Sequence, residues 1–256
     1  MNSFFVLLNK EIKELVRSKK LLIAAILFLF SAIASPIIAK LIPQIMQNVS
    51  VPGMTLDLPD PTWRDAIDQL VKNVNQIVGI ILVFLFAGAI TEEKNKKTLE
   101  IVLTKPISRT SFVLAKIFSS FGLLAVSLVA MAVVFYLYTY SLLGAFSVAN
   151  FSWLVLVLFI YLGLIATITI FMSTIAGNQI SAVGLAFFAE IILFTLLDYI
   201  KSIKHFLPGY ALGHYKEIMA DGRMGDYLPS ILVSLGLIIL FTIFSIAIFK
   251  KQEVER

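Results

Sequence analysis

The chain has 256 residues, of which 59% are hydrophobic and 14% are charged. Soluble domains average about 45–50% apolar and about 25% charged residues, so this composition excludes a soluble globular protein, a disordered chain and a disulfide-rich secreted domain. The net charge of +5 is better explained by basic residues sorted among the loops of a membrane protein than by a nucleic-acid-binding face, and the absence of cysteine excludes thiolate chemistry.

Residues 1–20 predict an amphipathic helix. Apolar side chains recur at helical spacing: Phe4, Phe5, Leu8, Ile12, Leu15 and Val16. Charged side chains take the other face: Lys10, Glu11, Lys13, Glu14 and Arg17. Such a helix is expected to lie at the membrane surface, either as a simple anchor or as an elbow that grips a partner.

Six stretches are expected to cross the membrane, because a helix needs about 20 apolar residues to do so. They lie at about 21–42, 70–91, 112–141, 152–176, 182–200 and 227–249. Pro36 is expected to kink the first span, and the second should continue outward as a more polar helix from near Thr62. The segment from Pro43 to Pro61, with four prolines, predicts an irregular loop.

The distribution of basic residues orients these spans. With the N-terminus inside, the inner segments 1–20, 92–116 and 250–256 carry 14 Lys and Arg, and the outer segments carry 7. The sequence therefore predicts an all-α polytopic membrane protein with six transmembrane helices and both termini in the cytoplasm. Its parts are the interfacial helix 1–20, a transmembrane domain over 21–250 and a cytoplasmic tail over 251–256.

No motif for catalysis is present. The chain has no phosphate-binding G-x-x-x-x-G-K-[ST], no G-x-S-x-G and no H-E-x-x-H. The two histidines, His205 and His214, are expected to be interfacial or hydrogen-bonded residues instead of metal ligands. We therefore expect no enzyme activity, no catalytic residue and no metal site in this chain.

The charged segment 92–116 predicts a short helix over 98–104. Thr98 can cap it, and Leu99, Val102 and Leu103 give it one apolar side. Pro106 disfavours helix at the preceding residue, and Ser108 can cap the third span. Two interpretations are equally favoured by this pattern: a solvated connecting loop, and an element that docks on another protein.

Particular residues of this segment resemble the cytoplasmic signature of type-2 ABC exporter permeases. They are Glu92-Glu93, Thr98-Leu99-Glu100, Pro106-Ile107-Ser108-Arg109 and Lys116. The family typically has an acidic pair, Gly-Thr-Leu-Glu, a Pro-hydrophobic-Ser-Arg turn and a Gly-Lys pair. Lys97 and Ala115 stand where those permeases usually have glycine. The N-terminal helix, six spans, long first outer loop and polar segment before the last span extend the resemblance over essentially the whole chain.

The resemblance implies a permease subunit of an ABC exporter in a bacterial or archaeal cell membrane. It implies a dimer, with itself or with a related permease, and two copies of a separate ATPase subunit that binds ATP and Mg, with no cofactor on this chain and no nucleic-acid partner. Helix 98–104 would be the coupling helix. The docking residues would be Glu92, Glu93, Thr98, Leu99, Glu100, Val102, Leu103, Pro106 and Arg109, with a second contact at Asn178 and Gln179.

Glu190 is an acid in the middle of the fifth span, eight residues after Ala182. A lone carboxylate at that depth is costly, so it is expected to be protonated, paired or hydrated. The local options are protonation, or hydrogen bonds to hydroxyl groups such as those of Thr167, Thr169 or Ser173. A role in the transport pathway and a structural hydrogen bond between helices both stay open.

The outer segment 201–226 is too polar to span the membrane. The resemblance implies short re-entrant or interfacial helices that gate the pathway; a folded outer loop is equally compatible with the residues. Two other functions stay open for the chain: a proton-coupled secondary transporter that uses Glu190, and a non-transporting membrane assembly protein. An apolar path with one acid favours an amphipathic or cationic cargo.

Overall fold

A computed structural model describes residues 3–49, 60–95, 108–196, 203–222 and 224–252. Helices occupy nearly all of these ranges and no strand occurs in them, which confirms the all-α prediction. The helices are α1 Ser3–Arg17, α2 Lys20–Val49, α3 Trp63–Asn95, α4 Arg109–Leu143, α5 Val148–Ile175, α6 Gln179–Ile191, α7 Pro208–Gly213, α8 Tyr215–Asp221 and α9 Leu228–Lys251.

Five helices in the described ranges are long and apolar enough to cross a membrane: Lys20–Pro43, Trp63–Asn95, Arg109–Leu143, Val148–Ile175 and Gly225–Lys251. The sequence predicts six spans. The remaining one, 182–200, corresponds to the shorter α6, which continues as a π-helical turn over Ile192–Leu196. Residues 197–200 of that predicted span lie outside the described ranges.

The first helix of the bundle extends further than the sequence predicts, past the expected start of the loop at Pro43. Helix α2 includes both Pro36 and Pro43 and ends at Val49, so the expectation of irregular chain from Pro43 is wrong. Each proline removes only one backbone donor, and neighbouring polar groups support the helix before Pro36. Ser35 Oγ donates to the Ser31 carbonyl at 2.6 Å, and Asn73 Nδ2 of α3 donates to Ser35 Oγ at 3.0 Å.

Side-chain caps fix the starts of four helices. Thr62 precedes α3, as predicted, and Asp65 Oδ2 accepts hydrogen bonds from its backbone N and its Oγ1 at 2.8 and 2.9 Å. Ser108, also predicted as a cap, accepts from the backbone N of Ser111 at the start of α4. Ser147 and Asn178 cap α5 and α6 in the same way.

Helix α5 is the centre of the bundle. It packs against α3, α4, α6, α8 and α9, and 72% of its most apolar 18-residue stretch is buried inside the protein. Helix α9 has the same mean hydropathy of 2.8, yet only 17% of its most apolar 18-residue stretch is buried. The apolar side chains that α9 leaves exposed need lipid or another protein chain to cover them.

Close packing of α4 on α5 depends on one small residue. A Cβ atom on Gly163 of α5 would lie 2.7 Å from the Phe121 ring of α4, too near for a side chain without movement of that ring. Gly184 of α6 has no such neighbour within 4 Å. The two positions therefore respond differently to the same substitution.

Helix α1 packs on α4 and α2 through Leu7 and Glu11, both of which are buried. Phe5, Ile12 and Val16 of the predicted apolar face are exposed. The predicted division into an apolar face and a charged face is therefore wrong for Glu11, which turns towards a lysine of the bundle. Helix α1 and the last turn of α9 lie near the start of α4, and we call this end of the bundle the termini end.

The opposite end is closed by the segment before α9. Ser230 Oγ of α9 donates to the Leu207 carbonyl at 2.7 Å, and Asn150 Nδ2 of α5 donates to the Met219 carbonyl at 2.9 Å. An ion pair of 2.8 Å joins Lys216 of α8 to Asp68 of α3. The described part of the predicted outer segment is thus folded into short helices on the bundle.

Candidate functional site

The two ends of the predicted docking segment are described, and its middle is not. Residues 96–107 lie outside the described ranges, and with them the predicted helix 98–104 and its residues Thr98, Leu99, Glu100, Val102, Leu103 and Pro106. Their role stays a prediction. The structure does place the last turn of α3 and the first turn of α4, between which this segment runs.

A buried ion cluster holds the end of α3. The Lys116 side chain of α4 is 2% exposed, and its Nζ lies 2.7 Å from Glu93 Oε1 of α3 and 3.1 Å from Glu11 Oε2 of α1. Lys10 Nζ of α1 lies 2.8 Å from the same oxygen of Glu93. Two ammonium groups and two carboxylates from three helices therefore balance one another. We call these four residues the ion cluster.

Burial gives the ion cluster its energetic weight. Removing one partner of a buried ion pair leaves an uncompensated charge, which costs about 3–5 kcal/mol. Burial alone would lower the pKa of the Lys10 ammonium, but the carboxylates of Glu11 and Glu93 outweigh it and raise that pKa above its ordinary value. Lys10 is therefore charged at physiological pH and completes the balance.

The predicted docking residues Glu92 and Glu93 have different surroundings. Glu93 is 7% exposed and belongs to the ion cluster, so its carboxylate lies inside the protein. Glu92 is half-buried, and its carboxylate lies 3.9 Å from Lys20 Nζ at the start of α2. Only Glu92 of this pair is accessible on the surface of the chain.

Arg109 holds the other end of the segment by capping α9. Its Nη1 donates to the carbonyls of Lys250 and Gln252 at 2.7 and 2.8 Å, where the last turn of a helix leaves carbonyls without partners. Next to it, the rings of Phe112 and Phe249 stack with centroids 5.1 Å apart. Arg109 thus ties the start of α4 to the C-terminal end of α9.

The end of α5 is bound to the same region. Lys94 Nζ of α3 donates to the Thr174 carbonyl at 2.6 Å, and Gln252 Nε2 donates to that carbonyl at 2.8 Å. Ser173 Oγ accepts from the backbone N of Ile90 at 3.0 Å and of Thr91 at 3.2 Å. Side chains of α3, of α5 and of the residue after α9 therefore meet at the C-terminal turn of α5.

The predicted second contact lies in the turn between α5 and α6. Asn178 caps α6, with its Oδ1 accepting from the Ser181 backbone N at 2.9 Å. Gln179 Nε2 donates to the Phe84 carbonyl of α3 at 3.3 Å. The next residue, Ile180, is 86% exposed, so the turn presents an apolar side chain beside two polar ones.

One group of carboxylates in the described ranges is close enough to hold a metal ion. Oxygens of Glu11, Glu14 and Glu93 lie within 4.8 Å of one another. Lys10 and Lys116 lie against the same oxygens, however, and their ammonium groups supply the positive charge that a metal ion would bring. The arrangement is that of an ion-pair network.

A second feature, a cavity of about 540 Å³, surrounds Glu190 between α3, α5, α6 and α7. Tyr161 of α5 donates its hydroxyl proton to Asn75 Oδ1 of α3 at 2.7 Å inside this cavity. Glu190 Oε1 is buried and has no hydrogen-bond partner among the described residues. We call this space the Glu190 cavity.

Two π-helical turns adjoin the Glu190 cavity. One, Val74–Val78, interrupts α3 and contains Asn75. The other, Ile192–Leu196, begins two residues after Glu190 and contains Phe194, which also lines the cavity. A π-helical turn widens a helix locally and is frequent at functional sites. Both irregularities of the long helices are therefore next to the same polar groups.

The hydroxyl partners predicted for Glu190 are wrong. Thr167 and Thr169 donate to carbonyls one turn earlier in their own helix, both at 2.8 Å. Ser173 is engaged with α3 at the termini end. Asn75 is not predicted as a site residue, because in the sequence it is only a polar residue within a predicted span.

Lys10 and Glu11 were also missed as bundle residues. Lys116 is the signal that could have indicated them, because a lysine four residues inside the predicted span 112–141 requires an acidic partner. Glu93 is close in sequence, but Glu11 is distant, and only packing of α1 on α4 brings it to Lys116.

A search among curated proteins finds no significant match. A comparison with protein families matches residues 5–213 to the ABC-2 family transporter protein, from α1 through α7 and over well more than half of the chain. This confirms the resemblance found in the charged segment, and it identifies a multi-pass membrane permease. The chain belongs to the ABC-2 transporter family, whose members are membrane subunits of ABC transporters.

Proposed function

We propose that this permease exports its cargo as a dimer, driven by a separate ATPase subunit that docks on residues 92–110. The observation that carries the proposal is the way both ends of segment 96–107 are held. The ion cluster fixes the end of α3, and Arg109 fixes the start of α4 against α9. A segment anchored by charged groups at both ends can pass a displacement to the helices, whereas a free loop would absorb it.

Docking would engage the surface of the segment, and the anchors would transmit the movement. The sequence supplies an apolar side for the partner in Leu99, Val102 and Leu103. Glu93 and Arg109 would then act as positioning residues because each is engaged with the bundle. The exposed Ile180 beside Gln179 lies in the turn that would make the second contact.

ATP and Mg would bind to the partner, since this chain has no phosphate-binding motif. Closure of two ATPase subunits on ATP would push the two docking segments and change the relative position of the permeases. In this arrangement both termini and the docking segment face the cytoplasm of a cell membrane. The excess of Lys and Arg in the inner segments, 14 against 7, supports that orientation.

Co-purification tests the docking proposal. The permease is solubilised from its native membrane, and the associated P-loop ATPase is quantified for the wild type and for Leu99→Asp and Leu103→Asp. A charge on the apolar side of the segment should remove the ATPase. Ala220→Asp, at the exposed end of α8, is the matched control because it adds the same charge at the opposite end. Absence of any ATPase from the wild-type preparation, or its retention by both Asp variants, contradicts the proposal.

Proton-coupled transport is the second candidate function. The buried Glu190 Oε1 without a partner favours it, because such a carboxyl group can exchange a proton during a transport cycle. Glu190→Gln cannot carry a proton, so uptake or efflux that follows a proton gradient should vanish in this variant. A proton-gradient response that survives Glu190→Gln removes this candidate.

A further inference from the structure

We infer that the Glu190 cavity is a binding site for an amphipathic organic cation, a compound with one positive charge on an apolar or aromatic frame. As a site for transported cargo, it rests on the proposed export function. As a binding site, it depends only on the geometry of this chain. The two claims can therefore be tested apart.

The size and walls of the Glu190 cavity suit such a compound. Its volume of about 540 Å³ lies within the range of about 300–1,000 Å³ that small-molecule sites occupy. Four aromatic rings line it, from α5, α6, the π-helical turn after α6 and α8: Tyr161, Phe187, Phe194 and Tyr215. Rings of this kind attract a cation through their faces as well as covering its apolar parts.

The charge of the Glu190 cavity selects the ligand. Glu190 is the one ionisable acid among the described residues that line it, and no Lys, Arg or His is among them. In the ion cluster, each carboxylate has a lysine beside it; here the carboxylate has none. A neutral ligand could donate a hydrogen bond to Glu190 Oε1 but could not balance an ionised carboxylate, and an anion would be repelled. A cation would compensate the negative charge.

Access to the Glu190 cavity is from the side of α3 and α6. Asn75, Ile80 and Ile191 line it and are exposed at this face of the chain. Helix α7 covers it towards the opposite end through Leu212, which is buried. Glu190 is eleven residues from the start of α6, about 16 Å along the helix, which is about half of the hydrocarbon thickness.

Asn75 and Tyr161 define the polar side of the site. The hydrogen bond of 2.7 Å between them orients the Tyr161 ring and its hydroxyl oxygen within the cavity. That oxygen retains accepting capacity for an N–H group of a ligand. An alkylammonium with N–H groups can therefore use both Glu190 and Tyr161, while a quaternary cation uses Glu190 and the rings.

A pair of hydrophobic ions of equal shape and opposite charge tests this inference. Binding of tetraphenylphosphonium and of tetraphenylborate is measured by equilibrium dialysis on the full-length permease in nanodiscs of neutral phosphatidylcholine, with empty nanodiscs subtracted. We expect saturable binding of the phosphonium cation, about tenfold weaker in Glu190→Gln because a charged partner is lost, and retained in Glu190→Asp. Asp226→Asn removes an exposed acid outside the cavity and should leave binding unchanged.

Equal saturable binding of the two ions, no saturable binding of the cation, or unchanged cation affinity in Glu190→Gln overturns the inference. The melting temperature of each variant establishes that it is folded. Because these measurements need no ATPase, their failure leaves the co-purification result of the docking experiment unaffected. Conversely, a permease that binds the cation but never retains an ATPase would refute only the proposed function.

Discussion

Replacement of Lys116 by methionine should be the most damaging single change at the termini end. The substitution keeps the length of the side chain but removes the ammonium group that faces Glu93 and Glu11, so these two buried carboxylates lose one of the positive charges beside them. Loss of one partner from a buried pair costs about 3–5 kcal/mol. At about 2–4 °C per kcal/mol, the apparent melting temperature should fall by roughly 6–20 °C.

Scanning fluorimetry in detergent micelles measures this change, with Lys10→Met as the matched control. The Lys10 side chain is 38% exposed, so solvent partly screens its ion pairs and their loss should cost less than the loss of the Lys116 pairs. Glu93→Gln in the Lys116→Met background should restore part of the stability, because the buried charge left behind is removed. A Lys116→Met variant that melts at the same temperature as Lys10→Met would refute the reasoning.

Three further predictions concern packing, capping and orientation. Gly163→Ala should lower the free energy of unfolding by about 1–3 kcal/mol, because the added methyl group displaces the Phe121 ring of α4. Gly184→Ala, which has open space around it, should raise the free energy of unfolding by up to about 1 kcal/mol. Equal melting temperatures of the two variants would contradict this difference. Arg109→Met should accelerate amide exchange in the last turn of α9 by about tenfold, with exchange in α5 unchanged, and an unaltered rate at α9 would exclude the cap. In intact cells, a membrane-impermeant maleimide should label Gly225→Cys and spare Gly177→Cys, since the chain has no native cysteine and the sites lie at opposite ends; the reverse pattern would invert the proposed orientation.

Sequence periodicity and capping residues predict much of the helical framework. Ser108 is a cap as expected, and α3 starts after Thr62 as the polar extension of the second span indicates. The end of α2 could not be predicted in this way, because proline at position 43 is a local signal for termination. Contacts with α3 such as the bond from Asn73 to Ser35 depend on tertiary packing, which outweighs that local preference.

The candidate site is less accessible to sequence reasoning than the fold. The charged segment identifies Glu93 and Arg109 as noteworthy residues, but local pattern cannot distinguish a carboxylate that faces solvent from one that faces Lys116. Other contacts of the same residues join positions more than a hundred apart, Glu11 to Lys116 and Arg109 to Gln252. Likewise, Glu190 is evident as an intramembrane acid, and its cavity with Asn75 exists only once α3 and α6 are adjacent.

The hydrogen bonds and ion pairs at the termini end connect four helices in a closed circuit. Arg109 of α4 donates to the last carbonyls of α9, and Gln252, just after α9, donates to the Thr174 carbonyl of α5. Lys94 of α3 donates to the same carbonyl of Thr174. Glu93 of α3 then pairs with Lys116 of α4, which closes the circuit. If these contacts joined the helices in a linear series, the loss of one contact would leave the helices on either side of it unconnected. In a closed series, the four helices stay connected through the remaining contacts when one contact is lost, whatever that loss costs in stability. The two helices that flank segment 96–107, α3 and α4, are therefore connected to each other by two routes, although the individual contacts differ greatly in strength.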